Sequence, residues 1–79
     1  MITIYSADWC AFCRAAKDYL TKLDIKFIEK NVEQDPAAGQ EAVSKSGQMG
    51  IPVIDVDGKV IIGFNKPSLD SALKQAGLI

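Results

Sequence analysis

Apolar and polar positions along this chain change period several times. "MITIY" opens with an extended run of β-branched and aromatic residues and predicts a first strand. "AFCRAAKDYLTKL" sets Phe12, Ala16, Tyr19, Leu20 and Leu23 at helical spacing and leaves Arg14, Lys17, Asp18 and Lys22 on the outer face, which predicts an amphipathic helix. "KFIEKNV" alternates Phe27, Glu29 and Asn31 with Ile28, Lys30 and Val32 and reads as a second strand. "DPAAGQEAVSKSG" offers Asp35 as N-cap, Pro36 at the first helical position and Gly47 where a helix stops. "PVIDVDGKVIIG" holds two apolar runs, Val53 to Val56 and Val60 to Ile62, joined through Asp57-Gly58, a dipeptide suited to the positive φ angles of a tight hairpin. "SLDSALKQAGLI" closes as a helix with Leu69, Ala72, Leu73 and Ala76 on one face and Gly77 as its stop. The predicted order is β-α-β-α-β-β-α. A right-handed crossover makes the first two strands parallel, and the hairpin adds two antiparallel strands, giving an α/β domain with a four-stranded mixed sheet flanked by helices.

Composition narrows what such a domain does. A length of 79 residues, 48% of them apolar, suits one domain spanning residues 1–79 with a modest core. Nine Lys and Arg stand against ten Asp and Glu, a net charge of −1 with no basic stripe, so nucleic acid is not an expected partner. "MITIYS" lacks the basic segment and long apolar run of an export signal, and no stretch approaches the roughly 20 apolar residues of a membrane span. The expectation is a soluble, cytoplasmic monomer.

Chemistry concentrates in "SADWCAFCRAAK", which carries both cysteines of the chain. Cys10 lies where a strand hands over to a helix, and the unpaired N–H groups and dipole of that helix end favour a thiolate. Cys13 follows one turn later on nearly the same face, within the roughly 7 Å between Cα atoms that a disulfide requires. Cys10 is therefore the candidate attacking thiol, and the more shielded Cys13 the candidate resolving thiol. Two other readings stay open on residues alone. The pair could supply half of a zinc or iron–sulfur site, although there is no third cysteine and no histidine in the chain. Both could also be inert core residues, which free cysteines often are, although the spacing and the strand-to-helix position match the redox reading better.

"WCAFC" after a first strand, "GIPVIDVDG" downstream and "GF" after a fourth strand together resemble the thioredoxin superfamily, and most closely the glutaredoxins and glutaredoxin-like small redoxins. The resemblance spans nearly the whole chain. It implies a thiol–disulfide oxidoreductase acting through Cys10 and Cys13 on protein or glutathione-mixed disulfides, with no bound cofactor and no metal. It also implies that Pro52 is a cis proline facing the sulfurs and that the backbone of Ile51 pairs with a bound substrate. Trp9, Phe12 and Phe64 then form an apolar rim around the substrate, and Ser68 is a candidate hydrogen-bond partner for an amino-acid end. The runner-up reading within the same resemblance is a scaffold in which Cys10 from two copies and two glutathione thiols hold a [2Fe–2S] cluster.

Departures from the family pattern bear on the electron donor. Ala7 stands three residues before the first cysteine, where glutaredoxins commonly carry Lys, and "GFNKPSL" replaces Gly-Gly followed by acidic residues. Both changes remove contacts that glutathione, with its two carboxylates, would use. Lys45, Gln40 and Gln48 are the remaining candidates for its glycyl end. The balance favours a flavoprotein of the thioredoxin reductase type over glutathione. Asp8 is read as the cap of the first helix, Lys17 as a solvated charge, and Tyr5, Phe27, Val53 and Ile54 as core.

Overall fold

In the computed structural model, which describes residues 1–48 and 50–79, seven elements follow the predicted order. They are β1 (Ile2–Ser6), α1 (Ala11–Lys22), β2 (Ile28–Asn31), α2 (Pro36–Ser46), β3 (Val53–Val56), β4 (Lys59–Ile62) and α3 (Lys66–Gln75). The sheet runs β2-β1-β3-β4, with β1 parallel to β2 and both later pairs antiparallel. Alternation along the strands assigns each residue to a face. Ile4, Ile54 and Ile61 lie side by side across three strands and meet Ala16 and Leu20 of α1 and Leu69 and Leu73 of α3. On the other face Tyr5 and Val53 meet Ala38 and Ala42 of α2.

The local signals explain where elements begin and end. Asp35 caps α2 by accepting from the Ala37 N–H at 3.1 Å, and Gly47 ends it at φ 75°. Asp57 and Gly58 both have positive φ, and Asp55 Oδ1 accepts the Gly58 N–H at 2.7 Å, which closes the hairpin. Two boundaries and one helix face differ from expectation. α3 starts at Lys66, ahead of Ser68, because Asn65 caps it by accepting from the Ser68 N–H at 3.3 Å and Pro67 fits its first turn. β2 is shorter than "KFIEKNV": Phe27 packs against the α1/α3 side of the core just before it, while Ile28 is exposed on this edge strand. On α1 the buried face is Cys13, Ala16 and Leu20; Leu23, expected inside, is exposed at the C-cap, and Phe12, which the spacing sets on the apolar face and the resemblance at the rim, is exposed in the first turn.

The α2 face carries a charged lattice over an aromatic ring. Tyr5 donates its hydroxyl to Glu41, and the ammonium groups of Lys30 and Lys45 sit 5.7 and 5.4 Å from its ring centre. Lys45 also bonds Asp55 at 2.6 Å, which pushes its own pKa up. These contacts tie α2 to β2 and β3 at a distance from the cysteines.

Candidate active site

β1 ends at Ser6, and the chain turns through Ala7, Asp8 and Trp9 before α1, with the Cys10 N–H bonded to the Ala7 carbonyl at 3.1 Å. Cys10 takes extended φ and ψ, and its Sγ accepts the Cys13 N–H at 3.1 Å. The N-cap of α1 is therefore the sulfur itself. Asp8 does not cap the helix, contrary to expectation: it lies in the turn before α1 and accepts a hydrogen bond from Asn31 Nδ2 at 3.0 Å. Asn31 Oδ1 accepts in turn from the Glu33 and Gln34 N–H groups, so one side chain clasps the loop before α1 to the loop before α2.

Both cysteines are free thiols. Exposure separates them little, at 6% for Cys10 and 0% for Cys13, because Ala7, Val32 and Ile51 pack around the pair. Their electrostatic settings differ more. Burial pushes the Cys13 thiol up to about 12, and its hydrogen-bonded contact with Cys10 acts in the same direction. Lys17, one turn beyond Cys13, works weakly the other way. Lys17 is not the solvated charge that its sequence position suggested; it bonds Glu29 at 2.6 Å, and the buried Ser6 hydroxyl donates to the same carboxylate at 2.7 Å. These bonds, led by the one from Lys17, lower the Glu29 pKa.

Of the remaining candidates, Ile51 packs against the cysteine cluster, and Phe12, Pro52 and Phe64 share a recess with it. The Ile51–Pro52 bond is cis, Pro52 is buried, and Ile51 packs against the cysteine cluster. Trp9 and Phe12 are 69% and 67% exposed, large apolar surfaces beside Cys10 in the chain. Phe12, Ile51, Pro52, Phe64 and Asn65 line a recess of about 280 Å³. Phe64 is set there by Tyr19, whose ring lies 5.9 Å away and whose hydroxyl donates to Asp70. Ser68 stands apart; it is exposed and does not line this recess. Lys45, considered for a glutathione carboxylate, is committed to Asp55 and Glu41 instead. The alternation of the second strand gives Val32 and Asn31 no role beyond the sheet, yet Val32 packs against the cysteine cluster and Asn31 holds the loop before α1. An Asn at a strand end two residues before a helix-bound Glu-Gln-Asp run was the available signal for the clasp.

Two free thiols one turn apart at a helix start, with Ile51 packed against them, suit thiol–disulfide exchange. The glutaredoxin family model matches residues 2–61. The chain belongs to the glutaredoxin family. A glutaredoxin-like 8.6 kDa protein encoded in the rubredoxin operon of Clostridium pasteurianum is 41% identical over 75 residues, covering 95% of this chain and all of the relative. The glutaredoxin-like protein NrdH of Lactococcus lactis is 35% identical over 72 residues, covering 87% of this chain and 94% of the relative. Among solved structures, the NrdH-redoxin of Escherichia coli, described as having a thioredoxin-like activity profile, superposes with a TM-score of 0.78 at 28% identity, covering 89% of this chain and 91% of that one. This glutaredoxin is accordingly a thiol–disulfide oxidoreductase with a four-stranded thioredoxin-like fold. No helix among the described residues is long and apolar enough to cross a membrane.

Proposed function

We propose that Cys10 is the nucleophile and Cys13 the resolving thiol in the reduction of protein disulfides, with electrons supplied by a flavoprotein reductase. The observation that carries this reading is the 3.1 Å hydrogen bond from the Cys13 N–H to Cys10 Sγ at the start of α1, where the sulfur takes up a backbone donor that has no acceptor within the helix, at the positive end of the helix dipole. Cys10 attacks one sulfur of a target disulfide. A bond forms between Cys10 and that sulfur, the target's own S–S bond breaks, and the departing thiolate takes a proton from water. Cys13 then gives up its proton to solvent and attacks Cys10 Sγ, releasing the second target thiolate and leaving a Cys10–Cys13 disulfide. Two electrons pass from the dithiol to the target, and the reductase returns them. Burial raises the Cys13 pKa and so disfavours its thiolate, which limits its competition for the first attack.

A target chain fits in extended form, its backbone paired with Ile51 and its side chains against Trp9, Phe12 and Phe64. Three features support a protein donor over glutathione. Ala7 is 2% exposed and packs on the sulfurs, in the place of a family lysine. Asp70, the acid of α3, is engaged by the Tyr19 hydroxyl. The named relatives include NrdH proteins, one with a thioredoxin-like activity profile. A cluster scaffold would have to draw ligands from a second copy and from glutathione, since the described residues hold no group of three or more metal-binding side chains.

The test is steady-state disulfide reduction at matched protein concentration with two donor systems, glutathione plus its reductase against NADPH plus thioredoxin reductase. The second is expected to sustain the faster turnover, and Cys10→Ser to abolish turnover with either. Efficient turnover with glutathione alone would overturn the donor assignment. Introducing Ala7→Lys is a poor probe, because it would press a charged side chain into a buried position beside the sulfurs.

A further inference from the structure

β1 and β2 run parallel with Ser6 opposite Asn31, so the loop that leads to Cys10 and the loop that leads to α2 start side by side. The half-buried Asn31 joins them through both ends of its amide. Its Oδ1 accepts the N–H groups of Glu33 and Gln34 at 2.9 and 3.1 Å, which leaves Nδ2 as the end that meets Asp8, at 3.0 Å. The backbone carbonyl of Asn31 is engaged as well, accepting the Asp35 N–H at 3.0 Å. Asp8 is thereby drawn toward the loop before α2.

That carboxylate is exposed and lies only two residues before Cys10, whereas the first turn of α1 holds no acidic residue of its own. Cys10 Sγ occupies the Cys13 N–H, and the Ala11 and Phe12 N–H groups meet no acceptor among the described residues. Open donors and the helix dipole attract an anion, and aspartate is a favoured partner at such an end. The same field favours the sulfur as an anion. A carboxylate settled there would compete for the field and repel the sulfur's charge.

We propose that Asn31 is a positioning residue for Cys10: it turns the Asp8 carboxylate toward the loop before α2 and so leaves the open N–H donors of α1 to the sulfur. The proposal rests on the reading of Cys10 as nucleophile. Released from Asn31, Asp8 swings to those donors, and its charge slows attack by Cys10, most of all on an electrophile that is itself anionic. The exchange chemistry is unchanged, and Asn31 acts on it only through Asp8.

In the experiment, reduced full-length protein is alkylated at neutral pH with neutral iodoacetamide or anionic iodoacetate. In each case the sulfur displaces iodide, and the rate at Cys10 is read by peptide mass spectrometry. The ratio of the iodoacetate rate to the iodoacetamide rate reports charge beside the sulfur, which a mere loosening of the loop would not move. Asn31→Asp keeps an acceptor for the Glu33 and Gln34 N–H groups but has no donor for Asp8, so the loop before α2 is retained while Asp8 is repelled. It should lower the ratio about 3-fold, the effect of one unit charge roughly 6–7 Å away in water-like surroundings. Asn31→Ser, neutral and shorter but still able to accept from the loop, should lower it in the same direction. Asp8→Asn alone should leave the ratio close to the parent's. Asp8→Asn combined with Asn31→Asp keeps the parent's total charge, remakes the bond with donor and acceptor exchanged, and should restore the parent's ratio. An unchanged ratio in Asn31→Asp and Asn31→Ser, even where both reagents slow, or no restoration in the combined variant, would overturn the proposal. So would a rise in Asp8→Asn as large as the fall in Asn31→Asp, because Asp8 would then already act on the sulfur in the parent. Alkylation at Cys13 in place of Cys10 in every variant would instead overturn the nucleophile assignment on which the role of Asn31 depends.

Discussion

Serine at position 10 would place an oxygen where the sulfur now accepts the Cys13 N–H, and serine is among the best N-capping residues. Cys10→Ser is thus expected to keep the stability of the reduced parent to within about 0.5 kcal/mol, whereas Cys10→Ala should lose about 1 kcal/mol with the cap. Urea denaturation under reducing conditions checks the order, and both variants should lack activity. Equal stability of the two would show that the sulfur contributes nothing as a cap. Residue type alone pointed to Asp8 for this role, since aspartate is a far commoner cap than cysteine. Position decided otherwise: Cys10 directly precedes the first helical residue, and Asn31, remote in sequence, holds Asp8 away from the helix. Trp9 and Phe12 illustrate a second limit. Their large apolar side chains also suit a core by composition, yet both are exposed, as the rim expected from the resemblance would have them.

Elements with a cap, a period and a stop were readable from local sequence. α2 is the clearest, from Asp35 and Pro36 to Gly47, and the Asp57-Gly58 hairpin is another. α3 was legible as a helix but not in its start, because Asn65 and Lys66 continue a polar stretch that carries no period. Within α2, Gly39 is an exception to good helix chemistry. A Cβ built there meets the Val32 carbonyl oxygen at 3.6 Å and Val32 Cβ at 3.8 Å, ordinary contacts that need no rearrangement. Gly39→Ala should therefore stabilise the protein by about 0.5–1 kcal/mol, by reducing the freedom of the unfolded chain. The thermal midpoint is expected to rise by roughly 4–8 °C per kcal/mol for a domain of this size. A lower midpoint would mean that the α2–β2 contact is tighter than these distances indicate.

At the scale of the whole molecule, β1 is the central organiser: it pairs with β2 and β3, packs helices on both faces and delivers the chain to Cys10. Strand order and crossover followed from the connection pattern, while ion pairs between distant elements could not, since no local signal joins Lys17 to Glu29. That pair, with Ser6, gives a pH dependence of defined sign. The Glu29 carboxyl lies below its ordinary 4.5 in the fold, so its contribution is present above the unfolded value and is lost as pH falls through the lowered folded one. Because Glu29 is partly exposed, screening keeps that contribution below about 1 kcal/mol. Glu29→Gln should flatten the acid limb of a stability profile between pH 5 and 2, taking those bounds as about where carboxylates titrate; an unchanged limb would remove the pair from the account. Cys10 and Cys13 remain the centre on which the rest converges, and their unequal roles are open to one direct measurement. Reduced Cys13→Ser protein is exposed to a protein disulfide substrate and the products are mapped by peptide mass spectrometry. A stable mixed disulfide on Cys10 is the expected result, with Cys10→Ser forming none and turning nothing over; catalysis retained by Cys10→Ser, with the adduct on Cys13, would contradict the assignment.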